Sequence, residues 1–154
     1  LVTFDAMSTR RLVLLLLALI GGALGLVFWG GPVDEDEKVR RVIEDITSAA
    51  EASNTGDILD HVSDRYSDDD GMNKKLLQGM LARQFLTRGA LIVVLGPIQV
   101  ERQETTATAR FDAVLAEGAT DLGLSADALH FEVELVLEDG EWKVLSHTRS
   151  PVAP

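Results

Sequence analysis

The runs Leu129–Leu137 (LHFEVELVL) and Glu141–Arg149 (EWKVLSHTR), joined through Asp139-Gly140, decide how this chain folds. Apolar and polar residues alternate through both, the pattern of strands with one covered face. Asp-Gly is a two-residue hairpin signal, because a type I′ turn needs left-handed backbone at both central positions. Pairing outward from that turn sets Leu137 opposite Trp142, Leu135 opposite Val144, Val133 opposite Ser146 and Phe131 opposite Thr148 on the core face. The other face then carries Val136 opposite Lys143, Glu134 opposite Leu145 and Glu132 opposite His147, with His130 near Arg149.

Upstream, Ala107–Ala116 reads as a long strand with Ala107, Ala109, Phe111, Ala113 and Leu115 on one face. A loop containing Gly118, Asp121 and Gly123 is expected to lead from it into the hairpin. Leu91–Leu95 and Ile98–Arg102 read as short strands divided by Gly96-Pro97. Before residue 90 the apolar period changes from 2 to 3.6. Val39, Val42, Ile43, Ile46, Ala49 and Ala50 form one stripe of a helix capped by Asp34–Glu37. Asn54-Thr55-Gly56 ends that helix and caps a short one, Asp57–Val62, with Ile58, Leu59 and Val62 inward. Asp68-Asp69-Asp70-Gly71 precedes a third helix, to about Thr87, with Leu76, Leu77, Met80, Leu81 and Phe85 inward and Asp70 or a neighbour as its cap. Three helices followed by a meander predict an α+β domain, its helices packed on one face of a mostly antiparallel sheet.

Residues 12–29 (LVLLLLALIGGALGLVFW) form an uncharged run long enough to span a bilayer core. Arg10 and Arg11 precede it and Asp34–Glu37 follow, so the positive-inside rule predicts a cytoplasmic amino terminus and an extracytoplasmic domain. Met7 is read as the natural start. The competing reading is a cleaved signal peptide with a small-residue site at Ala23-Leu24-Gly25, which would leave Leu26–Trp29 exposed on the mature end. The expected division is a tip at 1–11, an anchor at 12–29, a linker at 30–35, a domain at 36–150 and a tail at 151–154. With 25 acidic against 14 basic residues the net charge is −11, which repels phosphate backbones and argues against nucleic-acid binding. No cysteine is present, which removes disulfides, thiolate metal sites and thiol nucleophiles.

The order of helix, short helix, Asp-rich link, helix and curved sheet resembles the nuclear transport factor 2-like superfamily, which includes SnoaL-like polyketide cyclases and ketosteroid isomerases. The resemblance covers about residues 36–150. It is carried by Thr55-Gly56-Asp57 with Ile58 and Leu59, by SDRYSDDDGMNKKLL at 63–77, and by the ending EDGEWKVLSHTRS at 138–150. It implies a cone-shaped, cystatin-like domain whose sheet wraps the helices around a pocket, often in a dimer. None of these segments is a catalytic fingerprint.

An isomerase-type site needs acids or phenols turned toward the helices. The inward rows assigned above hold no ionisable residue, so only Tyr66, Asp68 and Asp70 remain as catalytic candidates. Aligning Gly71 with the glycine of a calcium loop puts Tyr66 and Leu77 at two ligand positions, so that motif fails. His61, His130 and His147 lack metal-ligand spacing, and no GxSxG, phosphate loop or dinucleotide fingerprint occurs. Neither a metal nor a cofactor is therefore expected. Trp142, Ser146, Thr148, Phe111 and Phe131 are the residues expected to line a ligand pocket. Val114, Val136 and Leu145 on the outer face suggest a homodimer surface. The sequence reading favours a non-catalytic, membrane-anchored binding or assembly module. The alternatives are an isomerase, cyclase or dehydratase built on Tyr66 and an Asp of 68–70, and a carrier of small apolar ligands.

Overall fold

A computed structural model describes residues 34–152, apart from 88–90 and 121–122. The segment 12–29 read as a membrane anchor lies outside the described residues. Among those residues, no helix is long and apolar enough to cross a membrane.

Three helices come first: α1 (Glu35–Glu51), α2 (Thr55–Asp60) and α3 (Lys74–Thr87). Five strands follow: β1 (Leu91–Leu95), β2 (Gln99–Arg102), β3 (Thr106–Thr120), β4 (Gly123–Glu138) and β5 (Glu141–Pro151). The strands form one antiparallel sheet in the order β1-β3-β4-β5, with β2 also paired to β3. Between β1 and β2 the chain stays against β3 through Gly96, whose N–H donates to the Asp112 carbonyl at 2.8 Å. A Cβ at Gly96 would lie 3.1 Å from that carbonyl oxygen, so glycine suits this close approach.

The core follows from the two periodicities. α1 turns Val39, Val42, Ile43 and Ala49 inward, all buried. The facing row of β3 is small (Ala107, Ala109 and Ala113 are all buried), which lets the helix lie close to the sheet. Leu135 of β4, at 1% exposure, contributes on the order of 2 kcal/mol through removal of its side chain from water. Polar contacts fasten α1 at both ends. Trp142 Nε1 donates to Glu35 at 3.0 Å and Arg102 Nε to Asp36 at 2.8 Å, while Glu51 accepts the Val93 N–H at 2.8 Å.

Local chemistry sets the helix starts. Asp34 accepts from the Asp36 N–H and Asn54 from the Asp57 N–H. α2 starts at Thr55, two residues before the expected Asp57. α3 is capped by Asn73, whose Oδ1 accepts the Leu76 N–H at 3.0 Å, and not by an aspartate. Asp68 instead organises the loop, accepting the N–H groups of Asp70 at 3.1 Å and Met72 at 2.7 Å. With Asn73 as the cap of α3, Leu77 is its buried residue and Leu76 is 57% exposed, contrary to the expected stripe.

Two further expectations are corrected. The segment around Gly118 and Gly123 belongs to β3 and β4, because pairing continues past Ala116↔Ala126 to Thr120↔Gly123 and overrides the glycines' local preference for a loop. Val136, placed on an outer dimer face, is buried beside its cross-strand neighbours Thr106 and Lys143. Among the described residues, the exposed large apolar side chains of the sheet are Ile92, Val94 and Val114, with Val94 directly opposite Val114.

Candidate functional site

The hairpin keeps its expected register only from the turn to Val144. Asp139 (φ 50°) and Gly140 (φ 83°) make the left-handed turn, and Leu137↔Trp142 and Leu135↔Val144 pair as the sequence indicates. Beyond them Leu145 has no partner on β4, and the register resumes with Glu134↔Ser146 and Val133↔His147. The cause is the segment after α2, which packs along the free edge of β5. Val144 N–H donates to His61 at 2.8 Å, and the Val144 carbonyl accepts from Ser63 at 2.9 Å. The Leu145 carbonyl then accepts from Ser67 at 3.1 Å. Two successive carbonyls thus point to the same side, which a regular strand does not allow, and the extra residue is taken up as a β-bulge.

The bulge exchanges the two faces over the last part of β5. Ser146 turns outward, where its hydroxyl donates to Glu134 at 2.9 Å, and Thr148 pairs with Glu132 on that same outer side. His147 turns inward. Its Nδ1 lies 2.7 Å from Tyr66 Oη, and the two rings stack with centroids 6.1 Å apart at 24°. Tyr66 is 2% exposed and is delivered by the same segment that creates the bulge.

The pair lines a cavity of about 240 Å³ between the helices and the sheet, whose surface is almost wholly apolar. α1 contributes Ile43 and Ile46, α3 contributes Leu77 and Leu81, and the sheet closes the far side with Phe111 and Phe131, stacked 5.4 Å apart at 14°. Among the lining residues none is Asp, Glu, Lys or Arg. Thr47, the one other polar lining side chain, donates back to its own helix at Ile43. Burial pushes the Tyr66 phenol up to about 12, assisted by the negative charge of Asp68. Burial lowers the His147 imidazole below its ordinary value, and Arg149 adds to this while Asp68 opposes it. At neutral pH the pair is therefore a neutral phenol against a neutral imidazole.

No protein-family model matches the chain, and no curated protein matches its sequence. Solved structures do match. One is a nuclear transport factor 2-like protein with a cystatin-like fold from Novosphingobium aromaticivorans, at 15% identity and TM-score 0.64, covering 86% of this chain and 88% of that one. Another is a nuclear transport factor 2-like superfamily protein from Salmonella enterica serovar Typhimurium, at 11% identity and TM-score 0.67, covering 77% and 92%. A candidate dehydratase of that family from Streptomyces avermitilis matches at 15% identity and TM-score 0.69, covering 79% and 99%. The chain has a nuclear transport factor 2-like fold. At these identities the likeness is one of fold alone.

Within this nuclear transport factor 2-like fold the sequence-predicted site residues separate. Tyr66, Phe111 and Phe131 line the cavity. Asp68 spends one carboxylate oxygen on loop N–H groups, and Asp70 is exposed. Ser146 and Thr148 are displaced to the outer side by the bulge. Trp142 is buried but borders a different groove, between α1, α2 and the β4–β5 turn, which is lined by charged side chains that include the Lys143–Glu141 pair at 2.7 Å. His130 pairs with Asp112 at 2.7 Å on the outer face, opposite to the face His147 takes, so the two histidines do not converge. The residue sequence reasoning missed is His147. The signal for it was the apolar doublet Val144-Leu145, which breaks alternation where the bulge falls.

Proposed function

We propose that this domain binds a small apolar molecule in the helix–sheet cavity, which the rings of Tyr66 and His147 help to line. The observation that supports this reading is a cavity of about 240 Å³ whose surface is almost wholly apolar and whose lining holds no Asp, Glu, Lys or Arg. The reading is that of a carrier or sensor. A catalytic role for Tyr66 with Asp68 or Asp70 has less support, because neither carboxylate lines the cavity. Membrane attachment through residues 12–29, export of the domain and homodimerisation belong to the proposal on the strength of the sequence. For the dimer, Ile92 and Val94 join the expected Val114 on the exposed face, and the buried Val136 drops out.

The test is displacement of a fluorescent apolar dye from the purified full-length chain by naphthalene. Ala113 is buried and lines the cavity, so Ala113→Phe fills it from the sheet side. Wild type should release the dye and Ala113→Phe should fail to bind it at an unchanged thermal midpoint. Equal dye binding by both proteins would place the dye elsewhere and count against the cavity.

A further inference from the structure

One edge of the sheet is β5, and the opposite edge is built by β1 and β2, both paired to β3. A strand edge is kept from pairing with another chain by charge, by proline or by cover. β5 has the 61–67 segment along its edge at Val144 and Leu145, then reads Ser-His-Thr-Arg-Ser and stops at Pro151. β2 carries Glu101 and Arg102, and Arg102 is bound to Asp36 of α1 at 2.8 Å. β1 has neither charge nor proline. Its residues are Leu91, Ile92, Val93, Val94 and Leu95.

Backbone groups alternate in direction along an antiparallel strand. Gly96, just after β1, donates its N–H to the Asp112 carbonyl of β3, so Val94 and Ile92 point the same way. Leu91, Val93 and Leu95 therefore turn their backbone groups to the free edge. The Val93 N–H bears this out, donating to the Glu51 carboxylate of α1 at 2.8 Å. Val93 is the middle residue of the strand. A carboxylate seated there blocks the place where a further strand would centre its pairing.

Glu51 is the last residue of α1. The helix dipole favours cations in that turn and disfavours an acid, so the helix gains nothing from this charge. The strand edge does. We infer that Glu51 guards this edge, and that the edge it covers is a pairing site for β1 of a second copy of this chain. The inference does not depend on the cavity being a binding site.

The strand's own sequence argues for a second copy as the occupant. Two copies paired antiparallel about Val93 set Val93 opposite Val93, Leu91 opposite Leu95 and Ile92 opposite Val94. Every cross-strand pair is apolar, and no charge meets a like charge. The two Val93 residues would exchange both of their backbone hydrogen bonds. Ile92 and Val94, exposed in the single chain, would meet their counterparts across the seam and continue into Val114.

Light scattering after size exclusion, on the full-length chain, Glu51→Ala and Glu51→Gln at matched concentrations, tests the inference. Glu51 is exposed, so neither substitution removes core packing. Glu51→Ala should reach twice the wild-type mass at high concentration and return to it on dilution. Glu51→Gln keeps a side-chain oxygen that accepts the Val93 N–H, and should keep the wild-type mass. A face-to-face dimer through Ile92, Val94 and Val114 would set the wild-type mass itself, so the change between variants reads the edge alone. Amide exchange locates the seam: residues 91–95 of Glu51→Ala should be better protected at high concentration than at low. Glu51→Ala at the wild-type mass throughout overturns the inference. Doubling without protection of 91–95 places the contact elsewhere and overturns it too. Doubling of Glu51→Gln overturns the role given to the hydrogen bond with Val93.

Discussion

Tyr66 Oη and His147 Nδ1 lie 2.7 Å apart, although 81 residues separate them in the chain. The chain contains one tyrosine, so tyrosinate absorbance reports on this contact alone. Tyr66 should ionise near pH 12 in the folded protein and near its ordinary value of 10 in urea. A phenol raised in this way supports the fold below about pH 10 and loses that support as pH rises through the folded value. Native titration at 10 would mean that the hydroxyl is hydrated and the cavity wall is not closed over it.

His147 should make stability depend on pH in the opposite direction. Its folded pKa lies below the ordinary 6.5, mainly because the ring is buried. As pH falls below 6.5 the unfolded chain takes up a proton that the folded chain refuses. Stability is therefore fully present above 6.5 and declines as pH drops toward the folded value, then stops declining on this account. Urea midpoints measured across this range for wild type and His147→Gln isolate the effect from the carboxylates. An identical slope in both proteins would show that the imidazole is solvated.

The helices and strands were legible in the sequence because they depend on local periodicity. Val39, Val42, Ile43 and Ala49 are buried as their 3.6 spacing requires, and Ala107, Ala109, Phe111 and Ala113 as their alternation requires. The face of His147 was not legible by the same rule, since it depends on a contact made 81 residues away. Three hydrogen bonds between the 61–67 segment and Val144 and Leu145 accompany the bulge, and strand periodicity contains no term for them. A weaker hint was present: the unbulged register sets Leu145 against Glu134, whereas the observed one sets Ser146 against Glu134 and Val133 against the inward His147. Leu76 misled for a related reason, because the start of α3 depends on the Asn73 side chain and not on the apolar pattern.

Ser63 fastens the segment that carries Tyr66. At 1% exposure, its hydroxyl donates to Glu138 at 2.9 Å and accepts the Arg65 N–H at 3.1 Å. Ser63→Ala should cost about 1–3 kcal/mol in chemical denaturation, since it removes a buried hydroxyl and leaves its partners less satisfied. Arg65→Ala should cost less, because the Arg65 side chain is 66% exposed in its contact with Glu138. The reverse order would show that the charge, and not the buried hydroxyl, holds the segment to the hairpin.

Deleting Leu145 tests whether the bulge or the register holds the site. Without the extra residue, β5 can pair with β4 regularly and still set Ser146 opposite Glu134 and His147 opposite Val133. What is lost is the Leu145 carbonyl that accepts the Ser67 N–H, so the deletion should cost about 1 kcal/mol. Tyrosinate ionisation should stay near 12. Cross-strand proton contacts by NMR would report the register directly. A return of ionisation toward 10 with His147 still opposite Val133 would show that the bulge's second carbonyl, and not the pairing of β5, holds Tyr66 against the imidazole.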